Sequence, residues 1–224
     1  MFDDLVARYD LLNDLLSFGL DRWWRRRTAR AIRAPAGTLV LDLGCGTGKL
    51  GLRLAGRYRV VGVDVSGPML SRARKMAAGR VALVQGSAFR LPFADASFGG
   101  AGSGFVLRNL DDLPSAFSEL ARVLKRGAGV ALVDITQPSH PVFRRLFDVY
   151  FSRAAPGLGA LVGMREAYRY LVASLGQLPP SAEVCVMLET AGFERCSTLP
   201  LTGGVVTLFS AVRSEGRRRF GRPT

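Results

Sequence analysis

The sequence predicts an α/β fold: a seven-stranded, mostly parallel sheet with an antiparallel last strand, an N-terminal helical lid and a helical insertion before the last two strands. Three observations carry this reading. From residue 38 onward, short apolar runs alternate with segments of helical periodicity, the pattern of βαβ units around a parallel sheet. The first 34 residues instead repeat their apolar side chains at three- and four-residue spacing. Residues 137–180 then break the alternation for longer than an ordinary connection.

Along the chain, Phe2, Leu5, Val6, Tyr9, Leu12, Leu15 and Leu16 share one helix face. Gly19 interrupts it, and Asp21 is placed to cap a second helix that ends at 35–37. On that helix Arg22, Arg26, Arg30 and Arg33 form one stripe, and Trp24, Thr28 and Ala31 another. Strands are expected at 39–43, 60–64, 81–85, 130–135, 194–199 and 204–212. A weaker one falls at 97–105, where Gly99, Gly100, Gly102 and Gly104 dilute strand propensity unless a ligand or another chain lies against them. Helices are expected at 69–78, 113–124 and 182–191, and within the insertion at 142–152 and 165–175. Thr202-Gly203-Gly204 suggests a hairpin, which turns the last strand antiparallel. Residues 1–212 thus read as one domain, with a lid at 1–34 and a substrate-covering insertion at 137–180, and 213–224 as a basic tail.

A chain of 224 residues with 48% hydrophobic content can bury a full core without disulfide or metal staples. Three cysteines, Cys45, Cys185 and Cys196, with no CxxC and a single histidine, His140, match no zinc spacing. They read as small buried hydrophobes in a reducing compartment. Asp3 and Asp4 stand where a signal peptide would be basic. The longest uncharged stretch, 196–212, carries Pro200, Gly203 and Gly204 and makes a poor membrane span. The expected location is cytoplasmic. Net charge is +13, from 31 Lys and Arg against 18 Asp and Glu, and favours anionic partners, either nucleic acid or a lipid leaflet.

The most specific motif is Val40-Leu41-Asp42-Leu43-Gly44-Cys45-Gly46-Thr47-Gly48, a buried strand running into a glycine loop with a helix beginning near Lys49. Glycine lets the backbone turn tightly and approach a ligand without Cβ interference. Dinucleotide sites need a small third fingerprint residue, and here that position is Lys49. S-adenosylmethionine, which lacks a pyrophosphate, suits the loop better. Asp42 is placed to order the loop or meet the ligand's ammonium through water. Asp64, closing the second strand, can accept both ribose hydroxyls. Ser87 and Ala88, after the third strand, would flank the adenine.

Together these residues resemble the class I methyltransferases, with their Rossmann-like sheet, and within them the quinone C-methyltransferase family (demethylmenaquinone and ubiquinone methyltransferases). The specific signatures are Arg8-Tyr9-Asp10-Leu11-Leu12-Asn13, Asp21-Arg22-Trp23-Trp24-Arg25, Leu107-Arg108-Asn109, Ala167-Tyr168-Arg169-Tyr170-Leu171 and Leu201-Thr202-Gly203-Gly204. Departures from the family pattern fall at Ser87, Gly99 and Gly104. At Gly104 the family carries a small hydroxyl residue that touches the cofactor, and that contact is not carried over.

The resemblance implies S-adenosylmethionine as cofactor, bound by Asp42, Gly44, Gly46, Thr47, Asp64, Ser87 and Ala88, and methyl transfer to a ring carbon of a prenylated quinol, demethylmenaquinol to menaquinol. Arg108 would stabilise the developing ring oxyanion, Asn109 would orient the hydroxyl or a water, and Tyr9 is the third catalytic candidate. Tyr168 and Tyr170 would line the substrate cavity. A lipid substrate and the arginine stripe imply peripheral contact with an anionic membrane at its inner face. Other readings stay open: another phenolic or lipid-like acceptor, a fold that binds cofactor without turnover, a nucleic-acid methyltransferase, and self-association as a homodimer. Nucleic acid is disfavoured, because the turn at 104–109 lacks the Asn/Asp-Pro-Pro-aromatic pattern and no RNA module is appended.

Overall fold

The computed structural model describes residues 10–11, 13–154 and 172–215. Residues 10–11 and 13–16 are helical and lead through a turn into α1 (Asp21–Ala31). The alternating region follows as β1 (Leu39–Leu43), α2 (Lys49–Leu54), β2 (Arg59–Asp64), α3 (Gly67–Ala77), β3 (Ala82–Gln85), β4 (Phe98–Gly104), α4 (Leu113–Val123) and β5 (Leu124–Ile135). Then come α5 (Pro141–Val149), α6 (Ser181–Thr190), β6 (Phe193–Leu201) and β7 (Val206–Arg213). The sheet has seven strands in the order β3-β2-β1-β4-β5-β7-β6. Strands β1 to β5 are parallel, and β7 runs antiparallel between β5 and β6. The chain reverses its lateral direction between β3 and β4, so the carboxyl ends of β1 and β4 flank the crevice where open α/β sheets bind ligands.

Two apolar layers hold the sheet. On one face Leu41, Leu43, Phe98, Leu132 and Phe209 meet Phe117 and Leu120 of α4 and Val184 and Leu188 of α6. On the other, Val40, Val60, Val133 and Leu208 meet Trp24 of α1 and Leu50 and Leu54 of α2. Ser66 caps α3 by accepting from the Met69 amide, and Asp112 caps α4 by accepting from that of Ser115.

Several expectations need correction. Asp21 does not cap α1: the N-cap is Leu20, and Asp21 lies buried within the first turn, bound to Arg25. The glycine-rich β4, expected to be weak, is an inner strand paired along most of its length with β1 and β5. Its glycines are needed because the chain leaving α1 lies directly on the sheet. A Cβ at Gly100 would meet Ile32 at 3.1 Å, and one at Gly99 would come 2.3 Å from Thr38. β5 begins earlier than the apolar run suggests, because Leu124 already pairs with Phe98 before a shift in register. Residues 202–204 form a 3-10 turn with positive φ at Thr202, Gly203 and Gly204. Cys185 of α6 and Cys196 of β6 are joined as a disulfide, so only Cys45 is free and buried, and the reducing compartment read from lone cysteines loses that support. Of the expected insertion helices, 142–152 corresponds to α5 and the wide turn Tyr150–Ala154, while most of 165–175 lies outside the described residues. Arg213, assigned to the tail, is the last residue of β7 and donates to the Ala121 and Gly192 carbonyls.

Gly129 tests the close approach of the α1 exit to the sheet. A Cβ there would lie 2.8 Å from both the nitrogen and the oxygen of Arg33, backbone atoms that cannot swing aside. Gly129→Ala is expected to cost about 1–3 kcal/mol in urea denaturation. The control Gly176→Ala, with nothing within 4 Å, should change stability far less.

Candidate active site

A cavity of about 740 Å³ opens at the carboxyl ends of β1, β2 and β4. Its floor is the glycine loop with Asp64, Gly104, Phe105 and Val106; its roof comes from Asp10, Asn13, Leu16, Phe18 and Leu20, with α1 and α5. The roof is joined across the mouth: the Tyr150 hydroxyl donates to the Leu16 carbonyl (2.8 Å), and the Phe18 and Tyr150 rings lie 5.7 Å apart.

The loop is shaped by positive φ at Gly44 (62°), Gly46 (53°) and Gly48 (82°). A Cβ at Gly44 would strike Val106 at 2.4 Å, whereas one at Gly46 would have no atom within 4 Å. Gly46 therefore presents bare backbone to the cavity. Asp64 fixes this arrangement, accepting from the Gly46 amide at one oxygen (2.8 Å) and from the Ser66 amide at the other (2.9 Å). Its carboxylate remains on the cavity wall, with further lone pairs for a ribose. The bare loop backbone and this acceptor fit S-adenosylmethionine; Gly44, Gly46, Thr47 and Asp64 would hold it.

Asp42 behaves differently from the expectation. It is 1% exposed, does not border the cavity, and neither oxygen has a hydrogen-bond partner. Burial pushes its carboxyl up to about 7, against the opposing charge of Arg25. Burial, with Asp42 and Asp64 nearby, also pushes the thiol of Cys45, which borders the cavity, well above its ordinary value and favours its protonated form.

The lid is tied to the loop by polar contacts. Thr47 donates to Asp10 (3.1 Å), and the Lys49 ammonium reaches Asp10 (3.2 Å) and Asp14 (3.0 Å). Lys49, the residue that argued against a dinucleotide fingerprint, is here the anchor of the roof.

Arg108 and Asn109 follow β4 on the 3-10 turn Leu107–Asn109 and both border the cavity. Arg108 is 5% exposed and largely committed. It pairs with Asp134, donates through Nε to Ser174 (3.1 Å) and through Nη1 to the Phe105 carbonyl (3.3 Å). Only Nη2 has no partner among the described residues. Asp134 also accepts from the Arg108 and Ile135 amides, which fixes its carboxylate behind the turn. Phe105 joins β4 to this turn with φ 67°, a strained conformation for a bulky residue and common at functional sites. Ser87 and Ala88 do not border the cavity; the Ser87 hydroxyl accepts from the Phe89 amide in a local turn. Tyr9, Tyr168 and Tyr170 lie outside the described residues. His140 is exposed at the start of α5. The residue-level reading missed Arg25, which borders the cavity beside Gly104; the sequence showed only one arginine among many on α1.

A sequence profile of the ubiE/COQ5 methyltransferase family matches residues 1–213. A demethylmenaquinone methyltransferase from Desulfitobacterium hafniense is 36% identical, covering 93% of this chain and 87% of its own. A ubiquinone/menaquinone biosynthesis C-methyltransferase from Syntrophotalea carbinolica is 39% identical, with 96% and 93% covered. Among solved structures, a SAM-dependent methyltransferase from Aquifex aeolicus superposes with a TM-score of 0.66 at 18% identity, over 93% of this chain and 98% of that one, a likeness of fold alone.

Asp42 makes cofactor-free stability depend on pH. Its carboxyl is protonated in both states below the ordinary value of 3.8, but as pH rises toward about 7 the unfolded chain releases a proton that the folded protein keeps. Stability should therefore fall across that window, by about 4 kcal/mol from this group, and level off above it. In urea denaturation, Asp42→Asn should gain stability relative to the parent at pH 8 and show little gain at pH 4. An equal difference at both values would mean that the Asp42 carboxyl titrates alike in the folded and unfolded chain.

Proposed function

Because the chain belongs to the ubiE/COQ5 methyltransferase family and is an S-adenosylmethionine-dependent methyltransferase, we propose that it methylates a ring carbon of a prenylated quinol, converting demethylmenaquinol to menaquinol. The observation that carries this is the division of the cavity. The glycine loop and Asp64 provide polar contacts on the floor, while Leu16, Phe18, Trp24, Phe143, Leu146 and Phe147 provide an apolar wall suited to a ring and its isoprenoid tail.

Bound on the floor, S-adenosylmethionine supplies a methyl group activated by its positive sulfur. The protein's part is to align the ring carbon with that methyl, exclude water and raise the carbon's electron density. Loss of the proton from a ring hydroxyl does the last, since the phenolate pushes charge to the ortho carbon. The free Nη2 of Arg108 is the donor available to that oxyanion, held in place by the Asp134, Ser174 and Phe105 contacts behind it. Asn109, exposed at the end of the same turn, can orient the hydroxyl or a water. After transfer, the ring carbon's hydrogen leaves as a proton and aromaticity returns.

The test is to incubate the protein with methyl-labelled cofactor and a panel of quinols and simple phenols differing in ring and tail. Label on the ring carbon of demethylmenaquinol, in preference to tail-less phenols, is expected. Label on a phenol oxygen, or acceptance of the phenols and none of the quinols, would overturn the assignment.

A lipid-borne acceptor also requires access to a bilayer. No helix among the described residues is long and apolar enough to cross a membrane, and we propose peripheral contact instead. Arg22, Arg26, Arg30 and Arg33 are all exposed, with Trp23 38% exposed beside them; Trp24 faces the interior, donating to Thr202. α5 adds Val142 and Val149, 59% and 45% exposed and outside the cavity lining, next to Arg144 and Arg145. Each basic residue near an anionic leaflet contributes about 1 kcal/mol. The protein should sediment with anionic vesicles at low salt and much less with neutral ones. Sedimentation that ignores lipid charge, or that survives replacement of all four stripe arginines by glutamine, would eliminate the contact.

A further inference from the structure

Three cations border the cavity among the described residues: Arg25, Lys49 and Arg108. Lys49 is occupied by Asp10 and Asp14. Arg108 sits beyond β4, fastened to Asp134 at the end of β5, with one terminal nitrogen spare. Arg25 is arranged otherwise. Its Nε donates to both oxygens of buried Asp21 (2.9 and 3.0 Å), and its guanidinium lies over the Phe105 ring, 5.0 Å from the centroid. Both terminal nitrogens, Nη1 and Nη2, have no partner among the described residues. A guanidinium held rigidly from behind, with its outer edge unpaired in a cavity, is a preorganised carboxylate receptor.

Its position says which carboxylate. The tip rests at the end of β4, where a Cβ on Gly104 would come 2.9 Å from Nη1; the missing side chain leaves room for the guanidinium. In the order β2-β1-β4, Asp64 stands at one side of the glycine loop and Arg25 at the other. An extended ligand whose ribose meets Asp64 has two directions open to its charged amino-acid end. Beside Asp64 the cavity offers Ser66 and Met69, both neutral, while across the loop it offers the unpaired edge of Arg25. We propose that Arg25 binds the carboxylate of the cofactor's methionine moiety through Nη1 and Nη2, with Asp21 and Phe105 as positioning residues and Gly104 as the space that admits it.

The inference rests on the cofactor and not on the identity of the acceptor, so its test uses no quinol. S-adenosylhomocysteine and 5′-methylthioadenosine share the adenosine and thioether, and only the former carries the amino-acid end. Calorimetry on Arg25→Lys, which keeps a cation for Asp21 but loses the two-pronged edge, should show affinity for S-adenosylhomocysteine falling by about tenfold to a hundredfold and that for methylthioadenosine unchanged. The double variant Arg25→Gln/Asp21→Asn, which leaves no buried unpaired charge, should show the same selective loss and answers the case in which the single variant fails to fold. Equal losses for both ligands would make Arg25 a structural residue, and an unchanged affinity for S-adenosylhomocysteine would remove it from the cofactor site; either result overturns the proposal.

Discussion

One carboxylate, Asp64, ties the turn after β1 to the turn after β2. By accepting from the Gly46 amide and the Ser66 amide, it holds two backbone segments that no strand pairing reaches. Together with the Cys45 amide donating to the Val63 carbonyl and the Thr47 and Lys49 contacts to Asp10, that bridge selects one conformation of the glycine loop, with positive φ at Gly44, Gly46 and Gly48, from the many glycine allows. The same group faces the cavity, so the contact that shapes the loop also presents a carboxylate acceptor to whatever the cavity holds. Parallel strands make this economy available, because β1 and β2 deliver their turns to the same edge.

Around this bridge the site is assembled from paired charges, each serving a different boundary. Lys49 with Asp10 and Asp14 closes the roof onto the loop. Asp21 with Arg25 aims a guanidinium across the floor. Arg108 with Asp134 secures the turn after β4 and leaves one nitrogen spare. Pairs as withdrawn from water as Asp21–Arg25 and Arg108–Asp134 add little net stability, since desolvation offsets much of the attraction, but each is costly to break on one side only. They act chiefly as positional constraints. Asp42 is the exception, a buried carboxyl without a partner, and the structure accommodates it by favouring its protonated form.

Much of this was legible in the residues. The strands at 39–43 and 60–64, the glycine loop, Asp64 and the antiparallel last strand could be read from local pattern, because strand periodicity and glycine chemistry act over a few residues. The family resemblance rested on motifs that local physics alone would not have assigned, such as Leu107-Arg108-Asn109. The reading failed where a residue's role depends on what crosses it in space. Four glycines in β4 looked like a weakness until the chain leaving α1 was found lying on that sheet. Asp21 looked like a cap until Arg25 was found beside it, and Cys185 and Cys196, eleven residues apart, meet only because α6 folds back on β6.

The sequence by itself determined the α/β class, the place of the glycine loop and the acid at the end of β2, since periodicity and turn chemistry are properties of short segments. The tertiary structure alone decided which charges pair and which stay free. Arg22, Arg25, Arg26 and Arg30 are alike in a sequence, and the packing of α1 turns one toward the cavity and leaves the others to solvent. It likewise placed Asp42 behind the site and Asp64 within it. The reason is physical: desolvation and pairing depend on distances across the fold, and a linear order of residues does not contain them.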